Sequence, residues 1–405
     1  MPKARCLIVT PSLRAGGAER TLINLLQWLK EDAEGIVLLI GAPGGALENE
    51  VPACVRRIYL FRNPFFGRLC FWLFRRRLFT APLRLVWSFK VRGEFESVIC
   101  FQDSFFTDLV ATFNRTKKRA AVVHANYEAD TNFARSLLDH RSKSDLLERR
   151  YARLDTLAFV SKSSKKAFER SIGTLPNGVV LPILFCPEQI RRQAALVSAA
   201  KEEVGTGKPV PVESHSTFQF ACVGSLLPVK GHDLLLDACE ILKNQGLRFH
   251  LHLVGDGVLK QELTEQVTKL GLSDHVTMHG FLKNPYPLLS TADAMVLPSV
   301  SEAMPTVICE AHVLGVPVLA SDCEGCRDIL GDGKYGLIFK RNEKALANAM
   351  QSFVESPELA AGWRRKGQAW LETYDKDEVL NGYRALMGFK ALTTRPVRQN
   401  EKGEG

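Results

Sequence analysis

The sequence predicts an α/β protein of two doubly wound domains, each a parallel sheet covered by helices on both faces. Three observations predict it. Short, nearly continuous apolar runs alternate with amphipathic stretches along the chain. The runs end in small or turn-forming residues. One stretch with little regular pattern, Pro176–Phe218, divides the alternation into two halves. Strands buried on both faces need unbroken apolar runs, which is the signature of parallel sheets between helix layers. A chain of 405 residues is long enough for two or three domains.

The elements follow in order. Cys6–Ser12 (CLIVTPS) reads as the first strand, followed by a glycine turn. Arg20–Lys30 then places Leu22, Leu25, Leu26 and Leu29 at i, i+3, i+4 and i+7, one face of a helix. Ile36–Pro43, Ser97–Asp103, Ala120–Asn126 and Thr156–Ser164 read as further strands, the last running into a basic helix. In the second half FACVGS, HLHLVGDG, VTMHGF, AMVLPS, PVLASD and GLIF read as strands. Helices are expected to start near Gly231, Leu259, Met304 and Arg341, and a last one to cover Asp375–Phe389. The polar residues after Leu392 are expected to be disordered.

Composition narrows the classes. A hydrophobic share of 46% and a charged share of 24% exclude disordered and fibrous chains. The ten cysteines show no paired framework, which fits free thiols in a reducing compartment. The N-terminus lacks a signal-like apolar run, and nowhere do about 18 apolar residues occur together, so a cytoplasmic protein is expected. The net charge of +9 is uneven: residues 1–180 hold 29 Lys+Arg against 17 Asp+Glu, the remainder 24 against 27. Residues 65–92 interleave aromatics with arginines and lysines and hold no acidic residue. Such a stretch, broken by Pro82, is expected to lie as amphipathic helices on an anionic membrane surface. Core packing with a basic solvated face is the alternative. Stacking on single-stranded nucleic acid would leave the glutamates described next unexplained, so no nucleic-acid partner is expected.

In open parallel sheets ligands bind beyond the carboxyl ends of strands, near helix N-termini. Gly16 and Gly17 follow the first strand; they serve either a tight strand–helix turn or close approach of backbone N–H groups to an anion. Neither they nor Val254-Gly255-Asp256-Gly257 form a dinucleotide fingerprint, which argues against a nicotinamide enzyme. His124 closes a strand and reads as a structural hydrogen-bonder or a site residue. Lys230, before Gly231 at a helix start, is a solvated lysine or a partner for a diphosphate. In Ser299–Asp322, Glu302 precedes Met304-Pro305 and Glu310 comes eight residues later. Pro305 fits the first turn of a helix, leaving Glu302 in the loop and Glu310 about one and a half turns in. Two carboxylates so placed can accept hydrogen bonds from a polyhydroxylated ligand. Cys323-Glu324-Gly325-Cys326 lacks the two further ligands that zinc requires. Asp375-Lys376-Asp377 is a weak metal motif, and His250 and His252 alternate on a strand and are expected to pack.

The ordered set TPSLRAGGAERTLINLL, VVHAN, FVSKSSKKAF, LPNGV, VGSLLPVKGHDLLLDA, LVGDGVLKQEL and the E-x7-E block resembles the GT-B glycosyltransferases of family 4, over nearly the whole chain. The resemblance implies two Rossmann-like domains facing across a cleft that holds the active site. It implies an acceptor domain over residues 1–182, a donor domain over 183–370, a helix near 371–391 returning to the first, and a tail from 392 to 405. It implies a retaining hexosyltransferase using a UDP- or GDP-sugar, with a glycan or lipid-linked acceptor and no metal required. By resemblance, Glu310 accepts from the nucleotide ribose and Glu302 binds the donor sugar. Met304, Pro305, Thr306 and Val307 face the sugar and phosphate, and Lys230 neutralises the leaving diphosphate. Gly16 and Gly17 approach the donor phosphates, and His124 contacts the transferred sugar. Ser225 stands where the family often has Arg, and Ala303 where it commonly has Gly. Cell-surface polysaccharide or lipopolysaccharide biosynthesis, on the inner face of the cytoplasmic membrane, is the implied setting. An epimerase, a phosphorylase-like enzyme or a non-catalytic nucleotide-sugar-binding scaffold on the same fold are the alternatives.

Overall fold

Leucine, isoleucine and valine runs build two parallel sheets, seen in a computed structural model that describes residues 6–14, 16–63, 65, 86–127, 150–200 and 217–392. Most of the basic aromatic stretch 65–92, and the tail beyond 392, lie outside the described residues.

The first sheet contains β1 (Cys6–Thr10), β2 (Ile36–Ile40), β3 (Arg56–Tyr59), β4 (Phe95–Cys100), β5 (Thr116–Val123), β6 (Thr156–Phe159) and β7 (Gly178–Val180). Its order is β3-β2-β1-β4-β5-β6-β7. β1 pairs in parallel with β2 on one side and β4 on the other, so the strand order reverses between β1 and β4. Every residue of β1 and β2 is buried, as two-sided cover demands. The sequence reading missed β3 and β7. Both are edge strands of three or four residues, and β3 exposes Arg56 and Arg57, so neither carries the apolar run used to find a strand.

The second sheet holds β8 (Phe218–Val223), β9 (Phe249–Val254), β10 (Val276–Gly280), β11 (Ala294–Leu297), β12 (Val318–Ser321) and β13 (Leu337–Phe339) in the order β10-β9-β8-β11-β12-β13. All are close to the expected positions. Its two faces bury separate clusters. Phe220, Cys222, Leu251 and Leu253 pack beneath the helices His232–Asn244 and Glu343–Glu355. Ala221, Met295, Leu297, Val318 and Ala320 face the other cluster, with Ile308 and Trp370. Residues adjacent in sequence thus point to opposite faces, and both are apolar.

The expected pattern-poor divide contains a helix, Pro187–Ala200, which packs on the helices Tyr286–Ser290 and Thr306–Leu314. Of its described side chains, residues 187–196, only Ile190 is buried, and the segment is rich in polar and arginine residues, which masked it. Among the described residues one unit draws on Met1–Val122, Glu148–Ala158 and Asp375–Gly405, the other on Val123–Leu147 and Phe159–Tyr374. The last helix, Lys376–Met387, packs on β4: Ser97 Oγ donates to Met387 O at 2.7 Å, and Tyr383 stacks on Phe101 at 6.2 Å. Asp375 is its N-cap, accepting from Asp377 N at 2.9 Å and Glu378 N at 3.0 Å, so the D-x-D begins with a helix cap. No described helix is long and apolar enough to cross a membrane.

Candidate functional site

Between β8 and β11 the order of the second sheet reverses. Loops leaving the carboxyl ends diverge at such a point and open a crevice for ligands. Lys230 lies on the loop after β8 and Glu302 on the loop after β11, and the two side chains meet. Lys230 Nζ donates to Glu302 Oε1 at 2.6 Å, and Ser299 Oγ donates to the same oxygen at 2.7 Å. Ser299 O accepts from Ser321 Oγ at the end of β12. The Glu302 side chain is 10% exposed and that of Lys230 24%, so removing either partner leaves a largely desolvated charge.

Backbone packing sets where the pair sits. Gly231 adopts φ +67°, ending the 3-10 turn Pro228–Lys230 and starting the helix His232–Asn244; a Cβ there would overlap Pro298 O. Val300 N donates to Val229 O at 2.8 Å, joining the two loops. Ser161 caps the helix Lys162–Ser171, accepting from Ser164 N at 3.0 Å, and donates to Ala303 O at 2.6 Å. Ile183 N meets Met304 Sδ at 3.3 Å. The glutamate loop is therefore held by β12, Ser161 and Ile183 as well as by Lys230.

The helix Thr306–Leu314 starts two residues beyond Met304, the start expected from the sequence. Pro305 is its N-cap with ψ 94°, outside the helical range, because the Ala303 and Met304 anchors keep the approach extended. Glu310 consequently lies a little over one turn in. Thr306 and Val307 occupy the first turn, where N–H groups have no intrahelical acceptor and the helix dipole is positive. Ser225 is exposed on the β8 loop, which rests on the Val254–Gly257 turn: Leu226 N donates to Asp256 O at 3.0 Å. The glycines of that turn make room for backbone.

The structure thus brings Lys230 and Glu302 into contact and places Ser225, Met304, Pro305, Thr306 and Glu310 on the same two loops and helix start. Gly16 and Gly17 belong to the other unit. Gly16 caps the helix Gly17–Trp28, and a Cβ on it would overlap the carboxylate of Glu19, which burial pushes above the usual carboxylate range. A Cβ on Gly17 would meet nothing within 4 Å. The first glycine therefore makes room for the chain's own acid, and the second is not sterically required. His124 directly follows β5 and is half-buried. The sequence reading missed Ser161, Ser299, Ser321 and Gly325. Only Ser161 carried a local signal, a serine ahead of a helix.

Several histidines here are neutral. His232, next to Lys230, is pushed down to about 4 by burial and then by the lysine charge. His252 joins His279 at 3.0 Å and Gln219 at 3.0 Å in a ladder across the sheet. His312, two residues beyond Glu310, is buried against Trp370 at 5.6 Å, and neither ring nitrogen has a hydrogen-bond partner. Burial pushes it to about 4, below the unfolded value of 6.5. Between those values the unfolded chain binds the extra proton, so stability is complete above pH 6.5 and falls as pH drops toward 4. The His312 contribution should cost roughly 2 kcal/mol by pH 5. Denaturant titrations across pH should show this loss, with a shallower slope in His312→Leu; equal slopes would refute it.

Residues 208–370, the span containing Lys230, Glu302 and Glu310, match a family model. The model is that of Glycosyl transferases group 1, and the match takes in about two fifths of the chain. Over 159 residues the chain is 29% identical to the N-acetylgalactosamine-N,N'-diacetylbacillosaminyl-diphospho-undecaprenol 4-alpha-N-acetylgalactosaminyltransferase of Campylobacter jejuni, covering 39% of this chain and 43% of that one. A 2-deoxystreptamine glucosyltransferase of Streptomyces kanamyceticus is 29% identical over 230 residues, 55% of this chain and 56% of that protein. The chain thus spans about half the length of the curated relatives it matches. Among solved structures, HepE of Anabaena in complex with UDP superposes with a TM-score of 0.70 at 20% identity, over 95% of this chain and 99% of that one. WaaG, a glycosyltransferase involved in lipopolysaccharide biosynthesis, gives 0.64 at 15% identity, over 94% and 99%. These neighbours share the GT-B fold, and the two parallel-sheet units described above have it too.

Proposed function

We propose that this protein is a retaining glycosyltransferase that moves a hexose or N-acetylhexosamine from a UDP- or GDP-sugar to a glycan or lipid-linked acceptor in cell-surface polysaccharide or lipopolysaccharide biosynthesis. The Lys230–Glu302 contact carries this reading, because it sits at the strand switch point beside the first turn of Thr306–Leu314. A cation and unpaired N–H groups held there suit the charge that develops on a leaving diphosphate. Glu302, with one oxygen already held by Lys230 and Ser299, is oriented to accept from a sugar hydroxyl, and Glu310 from the ribose. His124, Ser225, Gly16 and Gly17 are assigned to the transferred sugar and donor phosphates. The UDP bound by HepE and the undecaprenol-linked acceptor named for the Campylobacter relative support the donor and acceptor classes.

In this reading the bond from the anomeric carbon to the phosphate oxygen breaks as the acceptor oxygen bonds on the same face. The acceptor proton passes to the departing phosphate, so no protein nucleophile is required. Product analysis separates a transferase from an epimerase, a phosphorylase-like enzyme or a non-catalytic scaffold. A thermal-shift panel of UDP-, GDP-, ADP- and dTDP-sugars tests the donor site. One nucleotide class at about 100-fold over its Kd should stabilise the wild type by roughly 2.7 kcal/mol, and Glu310→Ala should lose that gain. Stabilisation by none of the four would sink the reading. We place the protein on the inner face of the cytoplasmic membrane through residues 65–92. It should sediment with vesicles containing anionic phospholipid; equal binding to neutral vesicles, or none to either, would refute that placement.

A further inference from the structure

The donor-site reading leaves Cys323 and Cys326 without a task, and among the described residues they join no group of metal ligands. Cys323 is the N-cap of the helix Glu324–Leu330 and Cys326 lies in its first turn, three positions on. Cys323 is 8% exposed and Cys326 fully buried, so Cys323 is the less enclosed of the two. A hydrogen bond from Cys326 pulls the Cys323 thiol below its usual range; the same bond, with burial, pushes Cys326 above it. Burial instead pushes Cys6, Cys100 and Cys222 up to about 12.

The pair is joined to the donor site through backbone. A Cβ on Gly325, between the two cysteines, would overlap Glu302 O and lie 3.1 Å from Glu302 Cβ. The first helical turn therefore packs directly against the Glu302 backbone. Cys323 N also donates to Ser321 O at 2.8 Å, and Ser321 holds Ser299, which holds Glu302.

We propose that Cys323 and Cys326 are a redox-modification site, closing to a reversible disulfide that displaces the Glu302 loop and weakens donor binding. The oxidant is a small disulfide of the glutathione class. The Cys323 thiolate attacks one of its sulfurs, forming a mixed disulfide and releasing one thiol. Cys326 then attacks Cys323 Sγ, and its proton passes to the departing sulfur, which leaves as the second thiol. Two protein thiols are oxidised and one small disulfide is reduced to two thiols. The effect on donor binding rests on the function proposed above; formation of the disulfide does not.

The full-length protein is incubated with glutathione disulfide or reduced glutathione, alkylated, and digested for peptide mass analysis, with UDP- and GDP-sugar binding measured on the same samples. The oxidised sample should yield a 323–326 peptide two hydrogens lighter and unalkylated, restored by dithiothreitol. Its affinity for nucleotide sugar should fall about fivefold or more. Cys326→Ser should trap the mixed disulfide on Cys323, and Cys323→Ser should keep its affinity under oxidant. Full alkylation of both cysteines, while the exposed Cys54 takes up glutathione, would overturn the redox site. A disulfide that leaves affinity unchanged would overturn the coupling. If the reduced protein binds no nucleotide sugar, the donor reading and the coupling fall together, and the peptide mass alone decides the disulfide.

Discussion

Lys230→Ala is expected to lower kcat by about 10²–10³-fold, the usual cost of removing one fixed donor to charge that develops in the transition state. The ammonium is already in place: Glu302 Oε1 holds it at 2.6 Å, and Gly231 and the Val229–Val300 backbone bond hold the loop that carries it. In the proposed transfer little reorganisation is then needed when the diphosphate departs. KM should change far less than kcat, because the leaving charge is larger in the transition state than in the bound donor. The same substitution strips Glu302 of its cation while Ser299 Oγ remains, so stability should fall by about 1–2 kcal/mol, and rates must be compared at equal folded fraction. Lys260→Ala is the control, since that exposed lysine stands 3.9 Å from an equally exposed Asp256. Initial rates with a nucleotide-sugar donor decide the matter. A Lys230→Ala enzyme within a few-fold of wild type would remove Lys230 from the chemistry.

Gly255→Ala is expected to destabilise the unit built on β8–β13 by roughly 3 kcal/mol, seen as a lower midpoint in denaturant unfolding. Gly255 adopts φ +153°, and an alanine Cβ would overlap the carbonyl oxygen of Gly224, where the chain leaves β8 toward Ser225 and Lys230. Both clashing atoms belong to backbone, so no side chain can rotate away. Gly246→Ala separates strain from clash. Gly246 also has a positive φ, +75°, but a Cβ on it meets nothing within 4 Å, so only the left-handed penalty of about 1–2 kcal/mol applies. Equal losses at the two positions would refute the steric account.

The apolar runs of the second half could be read directly, because β8, β9, β11 and β12 are largely covered on both faces and a buried parallel strand has little freedom to be polar. Edge strands escaped for the opposite reason. β3 exposes two arginines, and nothing in Arg56–Tyr59 separates it from a loop until β2 is beside it. The helix Pro187–Ala200 was missed likewise, since its packing partners lie almost a hundred residues away. At the site, Lys230, Glu302 and Glu310 stood out by charge type and position at helix starts. Ser299 and Ser321 did not, because a serine's role depends on which carbonyl or carboxylate the fold brings to it.

The sequence by itself determined the α/β class, the six strands of the second sheet and the charged residues at its strand ends. These follow from local rules of burial, helix geometry and charge that each segment obeys alone. Only the tertiary structure decided that Lys230 and Glu302, 72 positions apart, share one hydrogen bond. It also decided that Ser161 holds Ala303 across 142 positions and that Gly325 presses on the Glu302 backbone. Such contacts exist only where parallel strands from distant segments bring their carboxyl ends together, and no local pattern records which segments those will be.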